Sequence, residues 1–583
     1  MAKRRKQAGR RKATAGVGNL ARSGRGTLRS YAVGALPIFN RLLDRMKLEE
    51  ILETYLPGED RRTKVPTARG LVLFVKNLLL SREPVYGLGE WAARFAPDLL
   101  GLEPEQVLAI NDDRAGRWLG RFFACGPTSP ALAEATHSVK EFGVSLDELH
   151  NDSTTITFHG AYADAAEEKR RRGRKTLAIT FGHNKDHRPD LKQLLYILTL
   201  SEDGGVPVHF RAQSGNTLDD QTHRDTWEML RHLAGRPDFL YVADCKLATT
   251  ENMTYIHGHG GRFVSVLPRT RKEDAEFRRR LLAEQVAWRP LWDKTDAQGK
   301  LVDRFSVSHQ PALTAEGYRL VWLHSTRKAE LDAAARATQL QRAVKELGEL
   351  RAKLSSPRTR YRQKAKVEET ANAILEGRGV SDWIRVDIEE RPLDRYRQER
   401  RGRPGKDTRY VKRTITRFEL NYSIDQEKIA VEASSDGVFP LVTNDRTLSE
   451  LELLHAYKRQ PLIEKRFSQL KTDFQAAPVW LKDVGRIEAL LGLYFFALLA
   501  EALLERELRR AMEREGVEAL PMYPEGRACR RPTARRLFDL FEPIQRHELH
   551  QPGKPPTVLV TELSPVHRRI LRLLDIPAAT YGH

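Results

Sequence analysis

Between Glu148 and Leu267 the chain takes on a texture that few folds accept. Segments around Glu148–Thr157, Thr176–Phe181, Leu194–Leu200 and Val206–Ala212 are rich in β-branched and apolar residues and are separated by turn chemistry such as Asp203-Gly204-Gly205. A helical segment, Thr226 to Ala234, follows, then an apolar strand, Phe239 to Ala243, a second helix from about Thr250, and a strand at Phe263–Leu267. Two of these strands carry an aspartate, a residue that strands disfavour. Asp152 sits within His150-Asn151-Asp152-Ser153-Thr154-Thr155, flanked by apolar Leu149, Ile156 and Phe158, and Asp244 ends the run Phe239-Leu240-Tyr241-Val242-Ala243.

Strands first, then helix, strand, helix and strand is the order of a ribonuclease-H-like α/β core, so the expected class is α/β with a mixed sheet. From Leu36 to about Phe123 the pattern is helical, with Ile38, Leu42, Leu43 and Met46 on one face. Between about Lys272 and Ala430 a basic, mixed segment interrupts the core. Within it Leu340, Val344, Leu347 and Leu354 mark a stripe on a charged helix that Pro357 ends, as in a short antiparallel helix pair. Core texture returns with Val438-Phe439-Pro440-Leu441-Val442 and the helix around Glu464. The expected domains are a disordered basic tail (1–30), a helical N-terminal domain suited to DNA binding (31–143), the first part of the core (144–271), a β-rich and helical insertion (272–430), the second part of the core with the glutamate helix (431–515) and a helical C-terminal region (516–583).

Charge narrows the partners. Lys+Arg number 98 against 78 Asp+Glu, a formal net charge of +20, and the first thirty residues contain no acid. Such a surface suits a polyanion such as DNA, whose condensed counterions are released when cations neutralise phosphates, although a basic tail also serves solubility. Three scattered cysteines, Cys125, Cys245 and Cys529, without a CxxC pair, exclude a disulfide framework or a Cys-based zinc site and suit a reducing cytoplasm. The longest apolar run, Ala489 to Ala500, falls short of the ~20 residues of a spanning helix, so no membrane partner is expected. No signal peptide is expected, because no apolar stretch follows the basic start.

The third acid of interest is Glu464, within Tyr457-Lys458-Arg459-Gln460-Pro461-Leu462-Ile463-Glu464-Lys465-Arg466-Phe467-Ser468-Gln469-Leu470-Lys471. Positions 464 and 471 are about two helical turns apart and are expected to share a face, while Pro461 either starts or kinks the helix. Taken singly, each acid has a bland explanation: a strand-end turn for Asp152, a helix cap for Asp244 and a solvated face for Glu464. Together they would supply the carboxylates that hold Mg²⁺ for phosphodiester chemistry, a metal that needs only one or two per ion.

At these residues the chain resembles bacterial insertion-sequence transposases of the DDE class, in the insertion-sequence-four superfamily, whose members interrupt the core with a β-rich insertion before the final glutamate. The family's first aspartate matches Asp152, the second Asp244 in Tyr241-Val242-Ala243-Asp244-Cys245, and the glutamate Glu464. Its Tyr-Arg-Glu-Lys signature maps onto Tyr457, position 460, Glu464 and Lys471, with Gln460 standing where the family has arginine. Arg459, Lys465 or Arg466 would then take over that arginine's phosphate contact. Gly182-His183-Asn184-Lys185-Asp186-His187-Arg188-Pro189-Asp190-Leu191-Lys192-Gln193 and Asp436-Gly437-Val438-Phe439-Pro440-Leu441-Val442-Thr443-Asn444 resemble further family segments in the same order. No catalytic role is assigned to His183, Asp186 or His187, since loop ordering explains them.

The resemblance implies metal-dependent cleavage at the ends of an insertion sequence and strand transfer into target DNA. Two Mg²⁺ ions, replaceable by Mn²⁺, would be held by Asp152, Asp244 and Glu464; Tyr457, Gln460 and Lys471 would contact DNA. The implied partners are terminal inverted repeats, target DNA and a second copy of the chain in a synaptic dimer. In the insertion, Arg401-Gly402-Arg403-Pro404-Gly405-Lys406 resembles a minor-groove-reading AT hook, which makes Arg401 and Arg403 candidate DNA contacts; a generic phosphate-binding loop is the alternative. A catalytically inactive, transposase-derived DNA-binding protein and a ribonuclease-H-fold nuclease that cuts without joining remain as other function classes.

Overall fold

The computed structural model describes residues 26–60, 62–162, 169–284, 286–296, 298–309, 312–474 and 481–582. The chain divides into two compact units, Met1–Val264 with Ala456–His583, and Ser265–His455. Most of the basic tail, residues 1–25, lies outside the described residues.

In the first unit, amphipathic periodicity produces helices α1 (Leu36–Arg45), α2 (Thr67–Leu80), α3 (Asp112–Cys125) and α4 (Thr128–Phe142). Asn111 caps α3, its Oδ1 accepting from the Arg114 amide at 2.9 Å. Helices α2 and α3 approach closely because Gly70 presents no side chain: a Cβ there would lie 2.3 Å from the Trp118 ring.

Next comes the sheet. Its strands are β1 (Glu148–Phe158), β2 (Lys192–Ser201) and β3 (Pro207–Ser214), then helix α5 (His223–Ala234), β4 (Leu240–Ala243), helix α6 (Thr250–Gly258) and β5 (Arg262–Val266). The spatial order is β3-β2-β1-β4-β5. β1/β2 and β2/β3 are antiparallel, whereas β1/β4 and β4/β5 are parallel. The architecture is therefore mixed α/β. The strand expected at Thr176–Phe181 does not form. β2 has β1 along one edge and β3 along the other from Leu194 onward, which leaves only Gln193 to make an isolated bridge with Thr180. Side chains hold that segment instead: Glu488 accepts from the Leu177 amide at 2.8 Å and Ser214 from the Ala178 amide at 3.0 Å.

The second unit holds an antiparallel sheet in the order β6-β7-β8-β11, from β6 (Trp288–Thr295), β7 (Leu301–Ser308), β8 (Arg319–Ser325) and β11 (Val438–Thr443). Helices α7 (Thr326–Ser355) and α8 (Lys364–Arg378) pair through Leu347, Leu350, Leu354, Val367, Ala371 and Leu375. Against them packs the base of a long ribbon of β9 (Ile384–Gln398) and β10 (Tyr410–Ile424).

The chain re-enters the first unit through α9 (Glu450–Lys458), α10 (Pro461–Ser468) and α11 (Val484–Arg514). By length and composition α11 could cross a membrane, its most apolar 18 residues having a mean hydropathy of 2.0, but every one of them is buried in the protein. The apolar run seen in the sequence is thus the middle of a core helix. Gly485 and Gly492 let it lie against Phe123, Phe122 and Pro127. Two further differences concern the chain ends. Thr27–Ala32, assigned in part to the tail, is a strand paired with Gln545–His550, which pairs in turn with Thr557–Val560, so the C-terminal region is not wholly helical. The partners lie more than five hundred residues apart, beyond the reach of any local pattern.

Candidate active site

Backbone register brings the two aspartates together. In the parallel pair β1/β4, Asn151 is opposite Ala243, so Asp152 and Asp244 are the next residues along neighbouring strands. Strands hydrogen-bonded side by side lie about 4.8 Å apart, and the carboxyl end of parallel strands is where α/β proteins gather polar groups for ligands. Both side chains are half-buried. Burial pushes the Asp152 carboxyl up from its ordinary range; Lys185 pulls it back and Asp244 pushes it up again. Burial likewise raises Asp244, against the pull of Lys185, with Asp219 adding a further push.

Lys185 is the cation of this cluster. Its Nζ lies 3.2 Å from Asp152 Oδ1 and 3.0 Å from Asp219 Oδ2, and donates to the Ser153 carbonyl and Oγ at 2.7 Å each. Ser153 Oγ in turn donates to Asp219 Oδ1 at 2.8 Å. The loop bearing Lys185 reaches this position over a glycine crossing, because a Cβ on Gly182 would stand 1.9 Å from the Gly215 carbonyl oxygen. Sequence reasoning missed both Lys185 and Asp219. The signal for Lys185 is its place in the Gly182–Gln193 segment, which resembles a family segment but assigns Lys185 no role; Asp219, in a short turn before α5, reads as a cap.

Glu464 is exposed on α10. Helix α10 begins at Pro461, so Tyr457 belongs to the preceding helix α9. Tyr457 joins the two sides electrostatically: its hydroxyl is pushed up to about 12 by burial and then by Asp244, Cys245 and Glu464. Lys471 lies in a single π-turn, Gln469–Asp473, that continues α10. The wider turn takes Lys471 out of the simple seven-residue register with Glu464, and its Nζ contacts Asp186 Oδ1 at 2.7 Å. Among the described residues no three His, Cys, Asp or Glu side chains gather tightly enough to hold a metal ion.

Gln460, where the resembled family has arginine, is hydrogen-bonded through Oε1 to His150 Nδ1 at 3.1 Å, and His150 Nε2 meets Glu148 Oε1 at 2.8 Å. The three cations expected to replace the arginine are all engaged elsewhere. Arg459 Nη1 donates to both Glu148 oxygens at 2.8 and 2.6 Å. Lys465 binds Glu505 at 2.8 Å. Arg466 is 2% exposed and donates to the Gly205 carbonyl at 3.0 Å, with Glu505 at 3.3 Å. A strongly buried guanidinium locked on backbone carbonyls cannot reach a phosphate, which removes Arg466 from the three; the Arg459 and Lys465 side chains stay 41% and 39% exposed. Arg401 and Arg403 lie exposed in the second unit, in the loop joining β9 to β10.

The donor chemistry suits a hard divalent cation at Asp152 and Asp244: two neighbouring, half-buried carboxylates whose negative charge is partly offset by Lys185 and, at Asp244, by Lys246. No protein-family model matches the chain, and no curated protein matches it. Among solved structures, a piggyBac transposase synaptic complex with hairpin DNA is similar over 87% of this chain and 79% of that chain, with a TM-score of 0.34 and 8% identity.

Proposed function

We propose that this protein is a DNA transposase of the DDE class, with a ribonuclease-H-like core that cleaves the ends of an insertion sequence and joins them to target DNA. The observation that carries the reading is the β1/β4 register, which sets Asp152, within β1, beside Asp244, just past the carboxyl end of the parallel strand β4. A sheet of three antiparallel strands extended by two parallel ones supports the core assignment.

Asp152 and Asp244 would hold Mg²⁺, or Mn²⁺ in its place; Glu464, which does not gather with them among the described residues, would have to approach to complete a two-ion site. When bound, the metal activates the attacking oxygen and stabilises the leaving one. The chain's own groups do the rest. Tyr457, its hydroxyl held up to about 12, stays protonated and can donate to a phosphate oxygen throughout the neutral range. Lys471 exchanges the Asp186 carboxylate for a DNA phosphate. Gln460, held against His150 Nδ1, would offer the other end of its amide to DNA. Arg401 and Arg403 contact DNA from the second unit, and a second copy of the chain completes the synaptic complex.

The test uses the full chain and a duplex carrying the terminal repeat that flanks its gene. Cleavage is expected in Mg²⁺ and lost in EDTA. Asp152→Asn and Asp244→Asn should each lower the rate more than about 100-fold, beyond the effect of losing an outer partner of a metal ligand. Undiminished cleavage by either variant overturns the assignment.

A further inference from the structure

The β9/β10 ribbon runs for fifteen residue pairs, from Ile384 opposite Ile424 to Gln398 opposite Tyr410, and spans about 50 Å at ~3.3 Å per residue. Only its base is packed, through Ile384, Ile388, Phe418 and Leu420. Toward the tip, Glu389 to Arg397 on β9 and Tyr410 to Thr416 on β10 are exposed apart from half-buried Ile415, with Tyr396 66% exposed. A bare two-stranded ribbon is marginal in water, so so long an uncovered one points to a partner.

The register shows what that partner must be. Arg395 stands directly opposite Arg413, and Arg391 opposite Arg417. Arg391, Arg395 and Arg397 alternate onto one side of β9, and their partners on β10 share that side. Like charges directly opposed across a ladder are destabilising. The Arg391 pair is partly offset, since Arg391 Nε meets Glu419 at 2.6 Å. Arg395 and Arg417 instead converge on one backbone carbonyl, that of Pro357, at 3.4 and 3.2 Å, while Arg417 also donates to Ser356 O at 2.9 Å. Burial and the neighbouring Arg395 and Arg362 pull the Arg417 guanidinium below its ordinary range, as expected where cations crowd together. Here the ribbon and the end of α7 enclose an open cleft of about 440 Å³ lined by Arg351, Arg391, Arg395 and Arg417, with Glu419 as its one acid.

Further out, Arg397, Arg400, Arg409 and Arg413 have no carboxylate partner among the described residues. From Arg391 to Arg413 ten lysines and arginines face three acids. The predominantly cationic part, the eight residues Arg391–Gln398 of β9 or about 26 Å at ~3.3 Å per residue, matches the evenly charged edge of a nucleic-acid duplex, with a negative charge every ~1.7 Å of axis, better than any compact anion. Its two-strand width also fits a major groove about 12 Å wide.

We propose that the arginine face of the β9/β10 ribbon, with the arginine cleft at its base, is a docking arm for the phosphate backbone of double-stranded DNA, made of residues other than those of the carboxylate site. The inference rests on the proposed function only in taking DNA as the ligand. It is tested without catalysis, by fluorescence anisotropy of a labelled 30-base-pair duplex of arbitrary sequence with the full chain in EDTA. The double variant Arg395→Gln/Arg413→Gln should bind at least about 10-fold more weakly. Its log K against log salt should be shallower by about 1.8, two phosphate contacts' worth. Its thermal midpoint should be unchanged or raised, because opposed like charges are removed, and this separates lost contact from lost fold. The assay reads binding alone, without metal, so failure of the cleavage reading leaves this result standing, and the reverse. Unchanged affinity and salt slope in the double variant overturn the proposal. So does unchanged DNA binding with altered sedimentation of the free chain, which would make the ribbon face a contact between copies.

Discussion

Replacing Lys185 by methionine keeps the aliphatic stem and deletes the charge between Asp152 and Asp219. The ammonium makes four contacts, at 3.2 Å to Asp152, 3.0 Å to Asp219 and 2.7 Å each to the Ser153 carbonyl and hydroxyl. Exposed pairs are worth about 0–1 kcal/mol, whereas breaking a fully buried pair costs about 3–5 kcal/mol because a charge is stranded. Here the side chains are 26%, 24% and 16% exposed, and the loss strands two carboxylates beside a third, Asp244. A cost of about 2–3 kcal/mol is therefore expected, between those limits. The assay is urea unfolding at neutral pH in EDTA and again in excess Mg²⁺. Without metal the variant should unfold at lower urea than the wild type. With Mg²⁺ the gap should close, because a divalent cation supplies the missing positive charge and in the wild type must first displace the lysine. Equal midpoints in EDTA, or an identical Mg²⁺ increment in both proteins, would refute the electrostatic argument.

Glu134, fully buried in α4 and accepting from Ser138 Oγ at 2.8 Å, is raised by burial to about 8. A carboxyl raised on folding stabilises the protein below its unfolded pKa of about 4.5 and loses that contribution as pH rises towards 8, at up to about 1.4 kcal/mol per pH unit. Glu134→Gln should flatten this part of the stability profile, and a profile of unchanged slope between pH 5 and 8 would contradict it. Gly70→Ala should destabilise the N-terminal helices by about 1–3 kcal/mol, since the new methyl would stand 2.3 Å from the Trp118 ring; denaturant unfolding within 0.5 kcal/mol of wild type, roughly the noise of a neutral surface change, would show that the ring simply moves aside.

What the sequence disclosed were features written locally. β-branched and apolar runs located β1, β4 and β5, and an aspartate out of place in a strand marked Asp152. The adjacency of Asp152 and Asp244 was not legible, because it depends on which strands pair and in what register. Neither was the fate of Arg459, Lys465 and Arg466, which look like free cations on a basic helix but are committed to Glu148 and Glu505 from distant segments. Thr176–Phe181 has strand composition yet finds no free edge on β2. Lys185 was invisible as a site residue for a related reason: its role comes from the Gly182 crossing, a close approach that no spacing rule encodes. On the ribbon, the number of arginines was plain, but their head-on opposition appeared only with the pairing of β9 and β10.

The position of α11 along the chain also shapes how the protein is born. The helical domain and sheet whose apolar faces it covers are synthesised first, yet Ser265–His455 must pass through the ribosome before Val484 emerges. At ~5–20 residues per second that interval lasts on the order of tens of seconds. During it Phe122, Phe123 and Phe210, later covered by α11, stand without their cover. The nascent chain is thus a natural client for holding chaperones, and truncation before residue 484 should yield an insoluble product rather than a smaller folded protein.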